Sequence, residues 1–237
     1  MAELMIEIPL FLSQDYPCSY LEGYQSRSAF VHPSFQMTNP IYAQLISQGF
    51  RRSGDEVYTP HCHTCSACIP VRIPVSEFKP NRNQKRCLKK NINTQAKIKP
   101  ALFEQAHYEM YMRYQNSRHQ EGTMANTSPE DYISFLSSAW CDTVFVEFSI
   151  DGELAGIAVV DQFDDACSAV YTFFEPKFAD YSPGVYAVLW QIEHCLSTNK
   201  TFLYLGLWIE ACKKMNYKTN YQPIELLIES EWQTMRH

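Results

Sequence analysis

Apolar and polar positions alternate along Thr143–Ile150, Leu154–Phe163 and Cys167–Phe174, the period of half-buried strands. Asp151-Gly152 and Asp164-Asp165 join these runs with too few residues for a crossover, so the pattern predicts an antiparallel meander. Ahead of it, Leu102 to Arg118 carries Leu102, Ala106, Tyr108, Met112 and Tyr114 along one side and predicts a helix. Ser128-Pro129-Glu130-Asp131 predicts another helix start, with Ser as N-cap, Pro at the first position and acids in the first turn; it should run to about Ala139. Behind the meander, Ser182-Pro183 repeats the cap and opens a helix from Gly184 to about Asn199. Thr201–Leu205 then reads as a strand and Glu210–Asn216 as a short helix. This order is α+β, with helices packed over a mainly antiparallel sheet.

The first hundred residues follow no such rhythm. They are rich in Pro, Tyr and Ser, with short extended runs at Ser28–Val31 and Val71–Val75. Phe50 to Tyr58 predicts a hairpin that turns at Ser53-Gly54-Asp55, and Pro40 to Gln48 a short helix closed by Gly49. Two units are therefore expected: a loop-rich one over residues 1–100 and a regular one over residues 101–237.

Composition narrows the class. The chain has 237 residues, 46% hydrophobic and 14% aromatic, which is enough for a sizeable core in one large or two small domains. The N-terminal Met1-Ala2-Glu3-Leu4-Met5 has neither a basic region nor a long apolar run, so no export signal is expected. No stretch approaches the length of a membrane helix. Nine cysteines, with Cys141, Cys167, Cys195 and Cys212 in apolar or helical settings, then predict reduced thiols in a cytoplasmic compartment. The net charge of -6 argues against non-specific tracking along nucleic acid. That charge is unevenly spread: Lys79, Arg82, Lys85, Arg86, Lys89, Lys90, Lys97 and Lys99 follow one another with no Asp or Glu between them.

Just before this basic run stands His61-Cys62-His63-Thr64-Cys65-Ser66-Ala67-Cys68. Thiolates are soft, charged donors, and C-x-x-C-x-x-C spacing lets one stretch of backbone present three of them to one ion. A closed tetrahedral site needs a fourth ligand. A bacterial ferredoxin run would supply it four residues after Cys68, where Arg72 stands instead. Cys18, His61, His63 and Cys87 are the candidates, and Cys18 is preferred because it lies in the same irregular unit. The set would hold a structural zinc or an iron–sulfur cluster; the plainer alternative is three metal-free thiols packing a loop.

The basic run offers point charges and forked guanidiniums to phosphate oxygens. As a helix it would align Arg82, Arg86 and Lys89 or Lys90 on one side, suiting a short nucleic-acid segment or a coenzyme pyrophosphate. A solvated surface without a partner is the other reading.

Longer motifs then carry a resemblance. They are Pro17-Cys18-Ser19-Tyr20-Leu21, Tyr58-x-Pro60-His61-Cys62-x-x-Cys65-x-x-Cys68-x-Pro70-x-Arg72 and Phe78-x-Pro80-x-Arg82-x-Gln84-x-Arg86. Tyr171-x-Phe173-Phe174-x-Pro176, Ser182-x-Gly184-x-Tyr186, Tyr204-Leu205-Gly206-x-Trp208-Ile209 and Met215-x-Tyr217-Lys218-x-x-Tyr221-x-Pro223-x-Glu225 continue it over nearly the whole chain. The sequence resembles the bacterial branch of the arginyl-tRNA–protein transferase family, the aspartate/glutamate leucyltransferases. The resemblance implies transfer of leucine from Leu-tRNA to proteins with N-terminal Asp or Glu, marking them for degradation. It also implies a second half similar to GNAT acyltransferases, and no cofactor for catalysis.

On that footing, Arg72 or Arg82 is the expected cation for the acceptor carboxylate, and Lys85 and Arg86 join Arg82 as phosphate contacts. The helix start at Ser182 and Gly184 would bind a phosphate or the tRNA 3′ end. Tyr171, Phe173 and Tyr186 would stack its terminal adenine, or simply pack the core. Gly206 and Trp208 would line the aminoacyl pocket, although Gly206 also suits close packing. His107 and His194 are expected to be surface or packing residues. Arginine as donor, a coenzyme-A acetyltransferase and a metal-stapled RNA-binding module are the alternatives.

Overall fold

The computed structural model describes residues 7–118 and 127–235. The Met1–Met5 segment lies outside them. The loop-rich beginning holds β1 (Leu10–Leu12), β2 (Tyr16–Pro17), β3 (Gln25–Ser26), β4 (Ser28–Val31), α1 (Asn39–Ser47), β5 (Arg51–Ser53) and β6 (Glu56–Pro60). Then come β7 (Ile69–Pro74), α2 (Arg82–Lys90), β8 (Gln95–Pro100), α3 (Gln105–Arg118) and α4 (Pro129–Leu136). The meander β9 (Thr143–Ile150), β10 (Glu153–Gln162) and β11 (Ala166–Phe174) is followed by α5 (Pro183–Ser197), β12 (Phe202–Trp208), β13 (Ile224–Ile228) and β14 (Glu231–Met235).

These strands build an eight-stranded sheet in the order β14-β13-β7-β12-β11-β10-β9-β8 and a four-stranded sheet in the order β1-β4-β6-β5. Every pairing in the large sheet is antiparallel except β11 with β12, which α5 connects. The fold is α+β, as the alternation predicts. The expected division at residue 100 does not separate two sheets, because β7 and β8 are both strands of the large one.

Helices cover both faces. Ala187, Val188, Leu189 and Ile192 of α5 pack with Cys87 of α2 against Ile73, Val146, Ala158 and Leu203. On the opposite face Met110 and Tyr111 of α3 and Tyr132 and Leu136 of α4 cover Phe145, Ile157 and Phe173. Beside them α1 packs Tyr42, Leu45 and Ile46 near Phe163 and Tyr204. The basic helix α2 begins with a capping box: the Asn81 side chain accepts from the Asn83 and Gln84 N–H groups, both at 2.9 Å, and Gln84 Oε1 accepts from Asn81 N–H at 2.8 Å.

Three local expectations fail, each for a tertiary reason. The α4 helix stops at Leu136, short of Ala139, because Arg52 Nη2 donates to the Leu136 carbonyl at 2.9 Å and caps it there. Ser182 precedes α5 but does not cap it with its side chain: a 3₁₀ segment over Pro176–Tyr181 runs into it and leaves it left-handed, at φ 54°. Glu210–Asn216 forms turns instead of a helix, and a 3₁₀ segment follows at Asn216–Asn220. There the Lys218 ammonium donates to the Leu207 carbonyl and draws the segment back over β12.

Candidate active site

The large sheet opens at its one parallel junction. β11 and β12 pair only at Ala166–Phe202, Cys167–Leu203 and Ser168–Tyr204. Immediately beyond, each strand carries an extra residue against its other neighbour. Val159 faces Tyr171 and Val160 faces Ala169, which leaves Val170 bulged; Tyr204 faces Arg72 and Gly206 faces Val71, which leaves Leu205 bulged. Bulges bend the strands that carry them. After Ser168, β11 has no strand partner on its β12 side.

Arg51 enters this opening from the small sheet. Successive strand residues point to opposite faces, so Arg52 turns toward Asp161 while Arg51 turns toward Gly206. Gly206 sits at φ 74°, which strains any residue with a side chain, and a Cβ there would lie 3.1 Å from the Arg51 guanidinium, which would have to give way. Arg51 lies beside Tyr20 and near Tyr58 and Tyr42. A second cation stands close by. Lys218 is buried, and burial followed by the Arg51 charge brings its ammonium down to about 7. Among the described residues, neither Arg51 nor Lys218 has a carboxylate within ion-pair distance. Tyr217, 44% exposed, stands near Arg51 and Tyr114 at the rim.

The cysteines lie next to this pair. Cys18, Cys62, Cys65 and Cys68 are all half-buried and free. Burial, then the charges of Cys18, Cys62 and Cys65 in turn, push the Cys68 thiol up to about 11. A thiol whose ionisation is opposed by three neighbouring sulfurs belongs to a donor set that a thiophilic cation would relieve, so the chemistry of these residues fits such an ion, although no three of their sulfurs lie within 4.8 Å of one another. Of the other candidates for the fourth ligand, Cys87 is buried under α5 with its thiol on the Tyr181 carbonyl, while His61 and His63 flank Cys62 and are exposed. Among the described residues, the set whose ligand atoms all lie within 4.8 Å of one another is a different one, Glu104, His107 and Glu147. Lys99 already places its ammonium there, at 2.7 Å from Glu104 and 2.9 Å from Glu147.

The remaining predicted residues scatter. Arg72 is spoken for: its Nε donates to Glu225 at 2.6 Å, and its guanidinium lies 3.6 Å from the Phe202 ring centre and 4.2 Å from that of Trp232. Arg82, Lys85 and Arg86 are exposed on α2 with Lys89 and Lys90. Phe173 is fully buried and meets Tyr111 edge-on at 5.5 Å, so it is core. Tyr171 is half-buried and accepts from Gln115 at 3.2 Å. Tyr186 packs edge-on against Phe148 at 5.4 Å. Gly184 has room for a Cβ, its nearest neighbour being Phe174 at 3.9 Å, while Trp208 donates to the Asn216 carbonyl at 3.3 Å. The Ser182 carbonyl accepts from Val185 and Tyr186, both at 3.0 Å. His194 stacks on Trp190, but His107 is more than packing: its buried ring bonds Glu147 at 2.7 Å. Sequence reasoning missed Arg51 and Lys218. The signal for Arg51 was tandem arginine in a short hairpin, where one of two adjacent side chains must face inward.

An open strand edge beside two cations that have no counter-ion among the described residues is suited to group transfer: an acyl group can lie along the strand while an acid anchors its acceptor. The sequence matches the family models described as arginine-tRNA-protein transferase, N terminus, over residues 16–86 and C terminus over residues 106–228. The chain belongs to the arginine-tRNA-protein transferase family, whose members are aminoacyltransferases. It is 45% identical over 225 residues to an aspartate/glutamate leucyltransferase of Marinobacter nauticus, covering 95% of each chain. Its identity to a protein of the same description from Pseudomonas fluorescens is also 45%, over 96% of this chain and 97% of that one. Among solved structures, the C-terminal domain of a putative lysylphosphatidylglycerol synthetase from Agrobacterium fabrum matches 74% of this chain and 54% of its own at 8% identity and TM-score 0.44. No helix among the described residues is long and apolar enough to cross a membrane.

Proposed function

We propose that this chain transfers leucine from leucyl-tRNA to the α-amino group of proteins beginning with Asp or Glu, marking them for degradation. The observation that carries the reading is Arg51, a half-buried cation that lines the opening between β11 and β12 and has buried Lys218 close by, neither with a carboxylate partner among the described residues. An acidic N-terminal side chain supplies the missing charge. Arg72, already neutralised by Glu225, gives up the role expected of it.

The chemistry then needs little activation. The acceptor nitrogen attacks the ester carbonyl carbon, a C–N bond forms, and the C–O bond to the terminal ribose breaks. The proton lost by the amine ends on the departing ribose oxygen. An α-amine of pKa about 8 is a competent nucleophile toward an activated ester. What the protein contributes is placement, together with backbone N–H groups of β11 beyond Ser168 as donors to the developing oxyanion. The exposed Arg82, Lys85, Arg86, Lys89 and Lys90 meet the tRNA phosphates. Cys18, Cys62, Cys65 and Cys68 would hold a structural zinc or an iron–sulfur cluster, which fixes the loops around Arg51 and takes no part in the transfer. Metal analysis and a visible spectrum of anaerobically purified protein test that site; protein free of metal would refute it.

The function is tested with purified protein, labelled leucyl-tRNA or arginyl-tRNA, and peptides beginning with Asp, Glu, Asn or Gln. Label should pass from leucyl-tRNA to the Asp and Glu peptides alone. Arginine transfer in preference to leucine, or acetylation of the same peptides from acetyl-CoA, would overturn the reading.

A further inference from the structure

The opening between β11 and β12 continues as a recess that Arg51 lines. Ile46, Phe50, Pro70, Val71, Ala169 and Val170 supply an aliphatic and aromatic share of its wall, and Ser168, Tyr42 and Tyr204 a polar one. Both bulges shape it. Val170 is itself the bulged residue of β11, and Gly206, beside bulged Leu205, leaves the wall without a side chain. The one other charged group in the lining, Arg52, is neutralised by Asp161.

We infer that this recess receives the side chain of the amino acid being transferred and selects an aliphatic one. The inference rests on the transferase reading above. If the acceptor's carboxylate lies on Arg51 and Lys218, the reacting ester lies within a residue's length of Arg51, and the aminoacyl side chain must leave that point. The aliphatic and aromatic share of the recess wall gains from burying an isobutyl group. An arginyl group entering the same space would lose its hydration and find no Asp or Glu in the lining to pair with. Attraction for leucine and exclusion of arginine therefore come from the same walls.

The test keeps the tRNA constant. Leucine-accepting tRNA is charged enzymatically or by a ribozyme with leucine, alanine or phenylalanine, and kcat/KM is measured for each donor with one Asp-initiated peptide. Ala169→Leu adds bulk on the open flank of β11. It should cut leucine transfer at least about tenfold relative to alanine transfer. Phe50→Ala enlarges the recess from the opposite wall and should raise phenylalanine relative to leucine by a similar factor. Because each readout is a ratio within one variant, loss of folded protein does not imitate it. Unchanged donor ratios in both variants would overturn the assignment, as would a rise in peptide KM alone, which would give the recess to the acceptor. Wild-type protein that moves no leucine would instead sink the transferase reading itself, a separate outcome.

Discussion

Arg52 and Asp161 clasp each other with both side chains buried: Arg52 Nε donates to Oδ2 at 2.7 Å and Nη2 to Oδ1 at 2.6 Å. The pair joins the hairpin of the loop-rich beginning to the middle of the meander, 109 residues later. Its spare hydrogen-bonding capacity is used as well. Thr143 donates to Asp161 at 2.7 Å, and Arg52 reaches the carbonyls of Gly54 and Leu136. Removing one member strands the other charge, which costs about 3–5 kcal/mol. Arg52→Met and Asp161→Asn should each lower the urea midpoint by that equivalent, while an apolar double replacement should recover much of it. A loss below about 1 kcal/mol in both single variants would contradict this account.

Arg51, one residue away, should behave in the opposite manner. It has no carboxylate partner among the described residues, so Arg51→Gln should leave the melting temperature within a few degrees of wild type. The same variant should lower kcat/KM for Asp- and Glu-initiated peptides by about thirtyfold or more, the usual loss when one side of a buried ionic contact is cut. Asn- and Gln-initiated peptides, poor from the outset, should change little.

Lys218 gives a pH signature. Burial, with Arg51 beside it, brings its ammonium down to about 7, so in the free protein part of it is neutral near that pH. A carboxylate arriving next to it favours the charged form and raises the value again. Acceptor binding should therefore take up protons between about pH 7 and about pH 9. Calorimetry of an Asp-initiated peptide in buffers of different ionisation enthalpy measures the uptake directly, and Lys218→Met should abolish it.

The α2 cations predict a salt effect. None of the five has a carboxylate partner among the described residues. If Arg82 and Lys85 each cover a phosphate, Arg82→Glu with Lys85→Glu should weaken tRNA binding and flatten its log–log salt slope by about 1–2. An unchanged slope would show that the helix faces only solvent.

Glu147 concerns stability in acid. Despite its partial burial, hydrogen bonds from Lys99 and His107 hold its carboxyl below the ordinary 4.5. A carboxylate with a depressed folded value contributes stability above its unfolded pKa and loses it as pH falls toward the folded value. The wild type should therefore lose stability on going from about pH 5.5 to about pH 3.5 more steeply than Glu147→Gln.

Much of the scaffold was legible because it rests on local periodicity. The three strands of the meander and their turns follow directly from alternation around Asp151-Gly152 and Asp164-Asp165. The site was less legible, since its parts meet only through tertiary contact. Arg72 and Arg51 look alike in the sequence, yet Glu225 neutralises one and no carboxylate among the described residues neutralises the other. Lys218 reads as a solvated lysine until Leu207 and Arg51 are brought to it. Phe173 and Tyr186 lie in motifs that fit base stacking, but their rings are taken by Tyr111 and Phe148.

The join between β11 and β12 is only three rungs deep, and the chain inserts a residue on either side to keep it so. Excising Val170 and Leu205 would let the two strands zip further and recover main-chain hydrogen bonds. Such a shortened protein should melt higher and have no room for a reaction. The enzyme thus holds its working space as an unfinished seam, which selection for rigidity alone would close.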